Sequence, residues 1–149
     1  MVLFSAGNLL VYCVNAGNRH ADTQESFEGG RVGLDFLLNQ SRLANEIRLT
    51  NYKNTDVLKR MDLVTETNEG EHVYIFAFDR AAKRLEFGGS KDYPFTSGVN
   101  ELASGIERVL ASYDEEKGVL YFSVAVALNG GETLFNGGVD ARYKTVSIR

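Results

Sequence analysis

The sequence predicts an α+β fold: an N-terminal helix or helices followed by a five-stranded antiparallel sheet with one crossing helix. Three observations predict it. Residues 119–128 form a run rich in β-branched and aromatic residues, and Asn129-Gly130 supplies two positions tolerant of positive φ. The chain therefore turns back tightly, and the rest of 119–148 reads as two or three antiparallel strands in all. Residues 73–79 and 84–87 read as a shorter strand pair about the turn 80–83, stopped by Gly88-Gly89. Between the two groups, Val99, Leu102, Ala103, Ile106, Val109, Leu110 and Tyr113 recur at helical spacing. Residues 99–113 are thus predicted as an amphipathic helix crossing one sheet face, with Ser97 as N-cap and Glu101 in the first turn.

The connections are polar. Residues 91–97 carry the single proline, Pro94, and read as a loop, and residues 114–118 read as a turn. Residues 1–17 are mostly apolar, punctuated by Gly7, Asn8 and residues 15–17, and fit a short hairpin or an initial helix. Residues 19–30 are polar, end in Gly29-Gly30 and read as an exposed connection. In residues 31–52 two periods compete. Val32, Leu34, Phe36 and Leu38 alternate with polar residues, as do Ile47 and Leu49, whereas Leu34, Leu37, Leu38, Ala44 and Ile47 fit a helical stripe. Helix is favoured because Thr55 would cap a further helical segment in which Val57, Leu58, Met61 and Val64 share a face; a hairpin is the alternative. No internal repeat and no linker divides the chain. Residues 1–149 are one domain, with 1–70 a helical or mixed N-terminal segment and 71–149 the sheet and crossing helix.

At 149 residues and 44% hydrophobic, the chain can bury roughly two thirds of its unfolded surface. Its single cysteine, Cys13, cannot form an internal disulfide and sits in an apolar run, as a buried inert thiol would. Sixteen basic and twenty acidic residues, with no basic block, argue against nucleic acid as a partner. The apolar stretch 9–14 is far too short to span a bilayer, so the chain as it stands reads as soluble, as a domain cut from a membrane protein also would.

No catalytic, metal or cofactor signature emerges. His20, near Glu25, and His72 are far apart in sequence and suggest no ligand set. Ser123 lacks a nucleophile elbow, the run 114–116 is a solvated acidic turn, and the glycine pairs at 88, 130 and 137 precede no phosphate-binding helix. The reading is therefore a non-enzymatic domain without metal or cofactor.

The order strand, strand, helix, three strands resembles the extracytoplasmic PAS-like sensor modules called Cache domains. Residues 74–80 match that family's strand ending in Asp and a charged turn. Residues 121–126, the turn 129–131 and the segment 137–140 match a later strand pair. The resemblance spans residues 73–143, about half the chain. It implies a ligand-binding sensory input domain of a membrane-bound signalling receptor, such as a sensor kinase, chemoreceptor or cyclic-dinucleotide enzyme. Such a domain is periplasmic or extracellular, flanked by transmembrane segments of the parent receptor, binds a small molecule and can pair as a homodimer. In amino-acid-binding members an aspartate at the position of Asp140 holds the ligand amine. The arginine and tryptophan of that pocket have no counterpart in this chain, which contains no Trp.

The implied pocket lies between the sheet and the loop after the second strand, with Tyr74, Phe76, Tyr93, Tyr121, Ser123, Asp140 and Arg142 as ligand-binding candidates. The plainer reading of these residues is cross-strand packing for Tyr74, Phe76 and Tyr121, pairing of Asp140 with Arg142 or Lys144, and a solvated Arg142. Two other functions compete. An intracellular, cytoplasmic scaffold of roadblock, longin or profilin-like type would work by protein contact and show an exposed apolar face without an internal pocket. A β-rich carbohydrate-binding module gains ground if residues 31–52 form a hairpin.

Overall fold

The computed structural model describes residues 18–96 and 99–149. The alternatives for residues 1–17, Cys13, the proposed cap Ser97 and the side chain of His20 lie outside what is described. A long helix, α1 (Asn18–Leu43), leads into nine strands: β1 (Glu46–Asn51), β2 (Leu58–Thr67), β3 (Gly70–Asp79), β4 (Arg84–Gly89), β5 (Glu101–Ser104), β6 (Ile106–Asp114), β7 (Val119–Leu128), β8 (Gly131–Asp140) and β9 (Thr145–Ile148). They form a six-stranded sheet, ordered β5-β4-β3-β2-β1-β9, and a three-stranded sheet, ordered β6-β7-β8. Every pairing is antiparallel except β1 with β9. The α+β expectation of a helix followed by a mostly antiparallel sheet holds. The expected five strands in one sheet are instead nine in two.

One apolar core joins α1 to both sheets. Leu34 and Leu37 of α1 cluster with Ile47, Leu49, Met61, Phe76, Leu85, Ile106, Val109, Phe122 and Val124. Removal of this apolar surface from water is the main favourable term in folding. Phe36 sets its ring edge-on to Phe76 at 5.8 Å and to Phe87 at 5.0 Å, fixing the helix to β3 and β4. On another side the helix backbone lies directly on the small sheet: a Cβ at Gly30 would stand 2.7 Å from Val126 Cγ1 and 2.9 Å from the Phe135 ring. A mid-helix glycine costs about 1 kcal/mol against alanine, a cost offset here by that close approach. At the helix C-terminus, Lys144 Nζ donates to the carbonyls of Arg42 (2.8 Å) and Ala44, supplying a cation and donors where helical carbonyls are left over.

The predicted helix over 99–113 is two strands. Gly105, at φ +71°, joins β5 to β6, and the register shifts again between Ile106 and Arg108. Each irregularity adds one residue to an alternating pattern, so Ala103, Ile106 and Val109 all reach the core three apart, mimicking a helical stripe. The helix expected after Thr55 fails in the same way. Asn51 pairs with Leu58 but Thr50 with Arg60, which makes Lys59 an extra residue and puts Leu58 and Met61 on one face. Residues 19–30, read as an exposed connection, belong to α1. In residues 31–52 both periods are right in part, since α1 continues to Leu43 and the alternating Ile47 and Leu49 lie on β1.

The connection between β4 and β5, a loop as expected, folds down on the outer face of the large sheet. It begins with a 3-10 turn, Ser90–Asp92, and contains a cis Tyr93-Pro94 bond. A Cβ at Gly88 would stand 2.7 Å from the Phe95 ring, and the Arg60 guanidinium stacks 4.4 Å from the Tyr93 ring centre. Ile75, the register partner of Gly88, is buried on this side. Over β2, β3 and β4 this face is thus covered by the chain itself.

Candidate functional site

Among the described residues, no such segment covers the outer face of the small sheet. The residue pairs across its three strands form two rows, Ser112-Tyr121-Gly138 and Leu110-Ser123-Asn136. Small or short residues at four of these six places, Ser112, Ser123, Asn136 and Gly138, leave a shallow groove of about 800 Å³, with the Tyr121 ring exposed in it. The connection between β1 and β2 reaches the β6 side, where Val57 bridges to Leu110 and brings Asp56 to the rim. Towards the hairpin end, Arg108 on β6 makes a bidentate pair with Glu132 on β8, one contact being 2.7 Å. Ala125, between them on β7, is fully buried. Tyr121, in the groove, is 41% exposed, and Leu134, beyond it on β8, is 47% exposed.

The structure separates the seven candidate residues. Tyr121 and Ser123 meet in the groove. Phe76 is fully buried in the core, 4.6 Å from Phe87, and lines no pocket surface. Tyr74 stacks on Phe87 at 5.6 Å. Tyr93 is held in the loop on the opposite sheet, lining a groove of about 200 Å³ with Tyr52, Lys59 and Glu86. Asp140 lines a third depression, of about 430 Å³, beside Arg42, Tyr143 and Lys144 at the C-terminal end of α1. Sequence reading missed Leu110, Ser112, Asn136 and Gly138. The first two were hidden in the mistaken helix. The last two sit at alternate positions of the strand 131–140, whose period of two was the available signal.

Asp140 and Arg142 satisfy one another. Arg142 Nη2 lies 2.6 Å from Asp140 Oδ2, and the Arg142 backbone N–H donates to Oδ1 at 3.1 Å. The hydrogen bonds from Arg142 hold the Asp140 carboxyl down at about 2, against an ordinary 3.8. A carboxyl whose folded pKa is depressed adds stability that is fully present above its unfolded value and is lost as pH falls through the folded one. This contribution therefore disappears between about pH 4 and pH 2. Arg142→Ala should return the Asp140 titration towards the ordinary value, read by carboxyl NMR, and flatten the acid limb of the stability curve in that window. An unshifted titration would show that the arginine does not hold the carboxylate.

Among the described residues, the one carboxylate lining the groove is that of Asp56 at the rim, and His72 stands on β3 of the other sheet. Among the described residues no group of three or more His, Cys, Asp and Glu side chains could hold a metal, and no helix is long and apolar enough to cross a membrane. No protein family model, no curated protein and no solved structure matches this chain.

Proposed function

We propose that this chain is a protein-contact module, which works by presenting its small sheet β6-β7-β8, at the free β8 edge and the adjoining outer face, to another polypeptide. One observation carries the reading. The β4 to β5 loop lies on the outer face of the large sheet, whereas among the described residues no such segment lies on the small sheet, where Leu134 and Tyr121 are exposed at a shallow groove. Exposed apolar residues gathered on one face mark interaction surfaces, whereas scattered ones do not. The experiment is site-specific photo-cross-linking in cells producing the chain. A photoreactive residue at 121 or 134 is expected to give protein adducts, and one at the exposed Lys53 or Glu69 none. Absence of adducts at both 121 and 134 would overturn the reading.

A ligand-sensing input domain of an extracytoplasmic receptor is the second reading. It is favoured by the meeting of Tyr121 and Ser123 in a groove whose volume falls within the usual range for small-molecule sites. It predicts a thermal-shift hit among amino acids, carboxylates, polyamines, purines and sugars. A ligand at a hundredfold its dissociation constant adds about 2.7 kcal/mol, or roughly 5 to 11 °C in the midpoint. Such a hit, abolished by Ser123→Leu and retained in Asp140→Ala, would establish this reading in place of contact.

A further inference from the structure

We propose that the partner is a second copy of this chain, whose β8 pairs antiparallel with β8 along the free edge of the small sheet about a two-fold axis at Asn136; the proposal rests on the contact reading and names its partner. The hairpin geometry sets which groups are free. Asn129 and Gly130 both have positive φ, 50° and 79°, so Leu128 and Gly131 close a two-residue turn as a hydrogen-bonded pair. The β7 to β8 register then runs without a shift. Alternation along an antiparallel ladder therefore gives the odd-numbered residues of β8 to β7 and turns the N–H and C=O of Glu132, Leu134, Asn136, Gly138 and Asp140 outwards. All five are exposed, and among the described residues no backbone bond outside the sheet ladders reaches them. A ten-residue open edge with neither proline nor lysine is a template for another strand.

One register makes that edge complementary to itself. With Asn136 facing Asn136 of the second copy, Leu134 faces Gly138 and Glu132 faces Asp140, and every facing pair has its hydrogen-bonding groups outwards. The exposed Leu134 side chain then meets the place where Gly138 has none, beside Val119 and Tyr121, which stand 3.2 and 3.3 Å from the Cβ that Gly138 lacks. Facing carboxylates would repel if bare. Here Glu132 is clamped by Arg108 and Asp140 by Arg142, so the meeting groups are two neutralised ion pairs. Two three-stranded sheets become one sheet of six across the copies.

The test uses the full chain with Cys13→Ser. Asn136→Cys is expected to form an intermolecular disulfide on mild oxidation, because facing Cα atoms in a hydrogen-bonded pair are about 5.5 Å apart, within disulfide reach. Leu134→Cys, two pairs from the axis, is expected to form none. In sedimentation velocity the unaltered chain should run as a dimer. Leu134→Pro, which removes an outward N–H and leaves the β7 ladder intact, should weaken dimerisation roughly tenfold or more. A chain monomeric at every concentration, or a disulfide at 134 and not at 136, would overturn the proposal. Photo-cross-links from 134 to a different protein would then leave the contact reading standing and remove only the second copy as its partner.

Discussion

Phe76→Ala is expected to lower stability by about 3 to 5 kcal/mol, a fall of roughly 6 to 20 °C in the midpoint for a domain of this size. Phe76 is fully buried, and its ring lies 5.8 Å from Phe36 of α1 and 4.6 Å from Phe87 of β4. Truncation removes the transfer energy of the ring and leaves a cavity between a helix and two strands. Neither element can collapse into it, because Leu37 and Leu85 are themselves fully buried beside the same core. Tyr74→Ala is the control. It belongs to the same ring cluster through Phe87, but at 40% exposure its loss should cost far less, about 1 kcal/mol. Urea denaturation of the three proteins measures the difference, with an unchanged slope showing that the unfolding reaction is the same. Equal costs for Phe76 and Tyr74 would mean that the ring cluster is not a core. The comparison also separates two meanings of an aromatic on a strand, since a pocket-lining ring would affect binding with little effect on stability.

What the sequence made legible was local. The turn at Asn129-Gly130, the strand before it and the pair about residues 80–83 were readable because turn chemistry and period agree there over a few residues. Residues 99–113 were not readable by period, because a glycine hinge and a bulge insert one residue each and turn a spacing of two into an apparent spacing of three. The polar face of α1 misled in the opposite direction: residues 19–30 lack an apolar stripe, and Gly29 and Gly30 look like a stop. Their reason is tertiary, since Gly30 sits under Val126 and Phe135, residues about a hundred positions away. The candidate site divides similarly. Pairing of Asp140 with Arg142 could be read from spacing along one strand end. Which of Tyr74, Tyr93 and Tyr121 share a surface could not, because it depends on the division of the strands between two sheets.

Gly105→Ala should cost about 2 to 5 kcal/mol, from two separable sources. Residue 105 alone connects β5, at one edge of the large sheet, to β6, at one edge of the small one. It makes that turn at φ +71°, where a side chain costs about 1 to 2 kcal/mol. A Cβ there would also drive into Ser26 of α1, against its Oγ and within 3.2 Å of its Cα. Because the second contact includes helix backbone, relief requires α1 to move, an overpacking cost of about 1 to 3 kcal/mol. The steric part depends on Ser26 and the conformational part does not. In a double-mutant cycle, Ser26→Gly should therefore recover on the order of 1 to 2 kcal/mol of the Gly105→Ala penalty and leave the rest. Strict additivity would place the whole cost in the backbone turn and show that α1 does not press on the junction. Coupling of the expected size would show that one residue both redirects the chain from sheet to sheet and seats the helix between them, so that the bare small sheet is held in place by α1.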